Sequence, residues 1–251
     1  MDSAAGPGKR PAFYALRPGG WRDLITILHP PYTAWHLSYV ALGAAAAPEL
    51  HPDRLWAALA AFFLAVGVAA HALDELHGRP LGTRLSDATL GAIAALGLVG
   101  ALGIGIAGLF VVSASLAPFV AAGAFLVLAY NLELFGRRFH NDFWFAAAWG
   151  AFPALTSFWA NALGIHSIGE AVAGGSVTVA CFGLSVAQRR LSTPARELRR
   201  RTVSLSGEQR LADGTTRELN AARVGAPLDG ALKALSASLV LLAAALVAVR
   251  L

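Results

Sequence analysis

Seven stretches of about 20 mostly apolar residues, joined by short polar connections, constrain this chain more than any other feature. A helix needs about that length to cross the hydrocarbon core of a bilayer. It is tolerated there because it satisfies its own backbone hydrogen bonds. The stretches run roughly 31–48, 54–73, 88–112, 115–132, 143–162, 168–187 and 230–249. Only 14% of the 251 residues are charged and 56% are hydrophobic, whereas about a quarter of a soluble domain is charged. The expected fold is therefore an all-α integral membrane protein with about seven transmembrane helices. The lone Cys181 excludes a disulfide framework. Residues 1–28 are polar with scattered basic residues and read as a soluble tail, not a removable signal peptide. Residues 29–187 form an expected six-helix core, 188–229 a basic loop, and 230–251 a last transmembrane helix.

The basic residues test this division. With the tail and the even-numbered connections on one face, that face holds 18 of the 20 lysines and arginines; Arg54 and Arg250 alone lie on the other. Cytoplasmic connections of membrane proteins are enriched in Lys and Arg. The N-terminus is thus expected in the cytoplasm and the C-terminus outside, in a multi-pass protein of the cell membrane. The net charge of +5 then points to lipid headgroups or phosphorylated substrates, not to nucleic acid.

Every polar cluster of note falls on the basic face. The first is "AHALDELHGRPLGTRLSD", residues 70–87. His71, Asp74 and Glu75 stand at i, i+3 and i+4, on one side of a helix end, and Asp87 opens the next helix. Carboxylates converging from two helix ends suit Mg²⁺, which takes one or two of them plus substrate phosphates. A solvated loop with salt bridges among Asp74, Glu75, Arg79 and Arg84, and Asp87 as a cap, is the equal alternative. The second cluster, residues 129–159, holds Tyr130, Arg137, Arg138, His140 and Asn141, followed by Phe152, Phe158 and Trp159. The paired arginines suit phosphate oxygens. The deeper aromatics suit an apolar tunnel or a cationic intermediate, with core packing as the commoner use. The third, "AQRRLSTPARELRRR", residues 187–201, clamps a diphosphate or lies on anionic lipid. Beyond it, "TVSLSGEQRLADGTTRELN" reads as a small hairpin around an Ala-Asp-Gly turn.

These stretches, in this order, resemble the UbiA superfamily of intramembrane prenyltransferases. "LHPPYTAWHLSYVALGAAAA" is similar to the family's opening helix, and "GRPLGTRLS" to the sequence after its first Asp-rich motif. "YNLELFGRRFHNDFWFAAAWGAFPALTSFW" resembles its Tyr-containing loop and following helix, and "AQRRLSTPARELRRR" stands where the second Asp-rich motif belongs. The resemblance covers roughly residues 17–205.

It implies a UbiA-like helical bundle that transfers or cyclises a prenyl group, drawn from a prenyl diphosphate with Mg²⁺ at the cytoplasmic face. The acceptor is a lipid or an aromatic molecule; membrane lipids and a homo-oligomer are the other implied partners. Carried over, Asp74, Glu75 and Tyr130 are catalytic, and Asp74, Glu75, Asp87 and Glu197 hold the metal. Substrate binding falls to His71, Arg79, Arg137, Arg138, Asn141, Phe152, Phe158, Trp159, Gln188 and Arg190. The sequence departs from the family at Ala70-His71, where Asn-Asp is usual, and has no aspartate between Gln188 and Arg201. Its seven stretches compare with the family's usual nine helices. A protein that binds an isoprenoid lipid or a partner without catalysis is accordingly the alternative.

Overall fold

A computed structural model describes residues 10–251. Its helices are α1 (Trp21–Ile27), α2 (Pro30–Ala46), α3 (Pro52–Leu76), α4 (Asp87–Val111), α5 (Ala114–Asn131), α6 (142–162), α7 (Ile168–Arg200) and α8 (Ala221–Ala248). Each of the seven apolar stretches is helical. Among the described residues, five helices (α3, α4, α5, α7 and α8) are long and apolar enough to cross a membrane. The protein is an all-α membrane protein at that level. α4 makes the case plainly: it has no charged residue after Asp87, and Leu96, Val99, Phe110 and Val111 face outward. An apolar surface of that size calls for lipid.

Two boundaries differ from the sequence reading. α7 does not stop near residue 187 but continues unbroken to Arg200, so the third basic cluster is helix, not loop. Pro194 removes one backbone donor within it, yet the surrounding Ala, Arg, Glu and Leu are strong helix formers. α8 likewise begins at Ala221, capped by the Asn220 side chain accepting from the Arg223 backbone N–H. Between them lies the expected hairpin, β1 (Ser206–Arg210) paired antiparallel with β2 (Thr216–Asn220). Its turn is held by Asp213, which accepts from the backbone N–H and hydroxyl of Thr215. Those two bonds keep its carboxyl below the usual range.

α2 is the central element, packed mainly against α6 and α8. Trp35, Tyr39 and Leu42 of α2 meet Ala154, Cys181, Leu239 and Ala243 in the main core. Close approach of α2 to α6 is possible only because Gly43 lacks a side chain: a Cβ there would lie 2.1 Å from the Ala154 carbonyl oxygen. Within this core the Trp35 indole donates to the Tyr39 hydroxyl, which also accepts from Ser185 at 3.2 Å. At the end of the bundle where α2 and α8 pass, Arg250 donates to the Ala47 and Pro48 carbonyls at 2.6 and 2.7 Å. Such carbonyls at a helix C-terminus lack helical partners.

α3 and α6 each contain a π-helical stretch, Phe63–Ala70 and Ala147–Ala151. Such irregular turns shift the backbone ladder and leave carbonyls available to side chains. The Trp149 carbonyl accepts from His36 Nδ1 at 2.8 Å, and the Gly67 carbonyl from His71 Nδ1 at 3.2 Å. Both stretches border the cavities described next.

Candidate functional site

A polar cavity of about 170 Å³ sits where α3, α5 and α7 end and α2 and α6 begin. α2 contributes Tyr32 and His36, with His29 just before it; α3 contributes His71 and Asp74; α5 contributes Tyr130 and Asn131. His140, Phe145 and Trp149 follow, and α7 lays down Gln188, Arg189, Ser192, Arg196 and Arg200. The α7 residues Gln188, Ser192, Arg196 and Arg200 recur every four positions, so one face of a continuous helix presents all of them. Its cavity-facing stripe is cationic.

The first described residues roof this cavity. The Tyr14 hydroxyl and His29 Nδ1 are hydrogen-bonded at 2.9 Å, and Arg200 Nε donates to the Pro11 carbonyl at 3.0 Å. Phe13 sits edge-on to Tyr14 and Tyr32 and beneath the Lys233 ammonium. Burial, with Tyr32 beside it, pushes the Tyr14 phenol above its ordinary range, so it stays protonated. His29 stacks on His71 with ring centroids 4.1 Å apart. Burial first, then His71, Arg200 and Arg196, holds His29 well below the usual histidine range, so it is neutral at pH 7. Among the described residues, the buried His29 Nε2 has no hydrogen-bond partner, and neither has Gln188 Oε1. Buried polar atoms are normally paired, so both lining groups mark a place built for a polar guest.

Of the residues expected at the site, His71, Asp74, Tyr130 and Gln188 line the cavity. Tyr130 packs on His140 and edge-on to Trp149. Among the described residues the Asp74 carboxyl group has no hydrogen bond or ion pair, and the charged groups that act on it are Arg196, Arg200, His140 and Glu75.

The structure puts the other charged candidates elsewhere. Glu75, one residue along α3, is fully buried on another side and accepts from the Leu81 and Thr83 backbones and the Thr83 hydroxyl at 2.8–2.9 Å. Both its oxygens are used in folding the 77–86 loop. Asp23 completes that loop by accepting from the Gly19 and Arg84 backbones, each at 2.9 Å. Arg79 pairs with Asp87 across the same loop, while Ser86 caps α4 by accepting from Thr89. Arg137 and Arg138 are exposed, and Arg137 pairs with Glu133 at 3.1 Å. Asn141 caps α6 by accepting from the Trp144 N–H. Arg190 and Glu197 are exposed on α7, outside the cavity lining. The first cluster divides: Asp74 and His71 line the cavity, and Glu75, Arg79 and Asp87 hold a loop, so its carboxylates do not converge.

These placements bear on a metal. Of Asp74, Glu75, Asp87 and Glu197, Asp74 alone faces the cavity, and its surroundings are arginines. Among the described residues, no three His, Cys, Asp or Glu side chains converge as a metal-holding group. Asp74 is thus the one of the four expected ligands that the cavity lining includes.

A second cavity, of about 160 Å³, is almost wholly apolar and lies among α3, α4, α5 and α6. Phe152 lines it, whereas Phe158 and Trp159 do not. Phe158 is core, pressed on Gly174, and Trp159 packs on Phe119 and donates to Ser115 at 3.1 Å. Val66 and Trp149 line both cavities and pack in one buried cluster, so these two side chains stand between the polar and the apolar space.

Sequence reasoning missed Tyr14, His29, Tyr32, His36, Arg196 and Arg200 as cavity residues. His29, Tyr32 and His36 recur at helical spacing, a stripe legible in principle. Arg196 and Arg200 join this lining because α7 runs on past residue 187 to Arg200. In comparisons with known proteins, the chain matches no family model, no curated protein and no solved structure.

Proposed function

We propose that this protein is a membrane-embedded prenyltransferase of UbiA type, which takes a prenyl diphosphate with its head in the polar cavity and its chain in the apolar one. The observation that carries the reading is an arginine-lined cavity beside an apolar cavity, with Val66 and Trp149 between them. An amphiphile with an anionic head is the ligand complementary to that pair. Guanidinium groups match phosphate oxygens two at a time, and Arg196 and Arg200 stand near His29 Nε2 in the lining, whereas Arg189 beside them is already paired with Asp142 at 2.7 Å.

The chemistry follows from those groups. The allylic C–O bond breaks with its electron pair going to the diphosphate, whose added charge the arginines offset. The rings of Tyr130, Phe145 and Trp149 line the space where the allylic cation forms, and their faces stabilise positive charge. Attack by an acceptor forms the new bond and releases a proton, for which Asp74 is the free carboxylate at hand. On this reading all seven long helices span the cell membrane, the cavity opens to the cytoplasm and the C-terminus lies outside.

A second reading, binding of an isoprenoid diphosphate without catalysis, is favoured by one observation: among the described residues, Asp74 is the lone carboxylate lining a cationic cavity. One experiment addresses both. Purified protein in lipid nanodiscs is titrated with a radiolabelled prenyl diphosphate and then supplied with aromatic and lipid acceptors, each with and without Mg²⁺. Binding without Mg²⁺ is expected, and Arg196→Gln should weaken it by roughly 10- to 100-fold, the worth of a charged hydrogen bond. The uncharged prenyl alcohol should not respond to that substitution. Product formation selects the transferase; binding without product selects the carrier. Unaltered diphosphate binding by Arg196→Gln overturns both.

A further inference from the structure

The connection between α5 and α6 folds back along the outward side of α5. Pro118, Ala121, Phe125 and Leu132 recur at helical spacing and are exposed on that side, and α5 is long and apolar enough to cross a membrane. The rings of Phe135 and Phe139 lie 6.1 and 5.0 Å from that of Phe125. Phe125 is six residues before the last residue of α5, or roughly 9 Å along the axis. The aromatic part of the loop therefore stands beside the span and not beyond its end. Phe135 is 67% and Phe143 61% exposed, with Leu132 and Leu134 exposed near them, so the apolar face of α5 continues onto the loop.

The loop is wound into a fixed shape. Glu133, Phe135 and Arg137 hold φ at 51°, 55° and 67°, where residues with side chains are rare. Leu134 donates to the Ala129 carbonyl at 3.1 Å, and His140 Nδ1 is bonded to the Tyr130 carbonyl at 3.0 Å. Such strain persists where the surroundings over-determine it, and it gathers at functional segments. Arg137 and Arg138 are exposed beside the apolar patch. Arg137 shares its charge with Glu133, whereas among the described residues the Arg138 guanidinium has no partner.

We propose that residues 132–143 form a docking surface for anionic phospholipid, with Phe135 and Phe143 in the upper acyl layer and Arg137 and Arg138 at the headgroup phosphates. Continuity and charge name this occupant. The patch prolongs the outward face of an apolar span, and its rim is cationic, which suits an anionic headgroup layer. In water a patch of this kind would stand uncovered. The surface is independent of the diphosphate reading, since it needs only α5 and the loop.

The whole chain in nanodiscs, carrying Cys181→Ala and a bimane probe on Phe135→Cys, tests this. Val99→Cys on the outward face of α4 sets the lipid level for the probe, and Glu208→Cys on the hairpin sets the aqueous level. The probe at residue 135 should be quenched by a nitroxide high on a phospholipid acyl chain and shielded from aqueous iodide. Phosphatidylglycerol carrying that nitroxide should quench it more than phosphatidylcholine at the same mole fraction. That local preference should fall about fivefold on adding Arg138→Gln, and by less on adding Arg137→Gln. Phe143→Cys carries the same expectation, and it decides the matter should Phe135→Cys fold poorly. Iodide quenching at the level of Glu208→Cys would leave the loop in water and overturn the proposal. Shielding from both quenchers would place a second copy or a partner protein on the surface, and equal quenching by the two lipids would remove the anionic headgroup; each overturns it as well.

Discussion

Asp74 and Glu75 are neighbours in sequence with opposite tasks. Glu75 accepts three hydrogen bonds in the interior, so its charge is spent on the loop that carries "GRPLGTR". Glu75→Gln replaces one accepting oxygen with an amide that faces other N–H donors. A loss of about 2–4 kcal/mol in stability is expected, because a buried donor is left unpaired. Asp74→Asn keeps shape and removes a charge that makes no bond. It should leave thermal unfolding in detergent unchanged while abolishing turnover on the transferase reading. Thermal melts and activity measured side by side separate the two; equal melting losses in both variants would mean that Asp74 too is structural.

At the scale of elements, α7 and α2 decide what the cavity is. α7 reaches Arg200 because its last turns are built of helix formers despite Pro194. Without that extension Arg196 and Arg200 would be solvated loop residues. α2 carries His36 and Tyr32 to the opposite wall and is held against α6 by the space at Gly43. Gly43→Val would drive a branched side chain into the Ala154 carbonyl, with no flexible neighbour to yield. The helices must part, at a cost of about 3 kcal/mol or more. The folded yield in detergent and the unfolding midpoint should both fall. An unchanged midpoint would show that α2 and α6 are farther apart than described.

For the whole molecule, charge and cavity agree on an axis. Arg54 and Arg250, the two cations set apart by the charge count, both bond to backbone carbonyls at one end. The arginines of α7 crowd the other, around the polar cavity. If that end is cytoplasmic, a reporter active only outside the cytoplasm should work when fused at the C-terminus and fail when inserted at residue 210. The reverse pattern would put the cavity on the outer face and remove a cytoplasmic prenyl diphosphate as its ligand.

Hydrophobic length and charge asymmetry are local properties, which is why the sequence by itself determined the all-helical membrane class, the helical stretches and the hairpin around Asp213-Gly214. It also brought out Asp74 and His71 by their spacing at a helix end, while Tyr130 and Gln188 came through the family resemblance. What it could not decide is which partner each charge finds. Glu75 and Asp74 differ by one position, yet a rotation of about 100° per residue sends one into a loop and the other into a cavity. Arg137 and Arg138 look the better phosphate ligands in sequence, and the turn from Leu132 to His140 turns them to solvent. The cavity draws on segments as far apart as Tyr14 and Arg200, so only the packing of α2, α3, α5, α6 and α7 could assemble it.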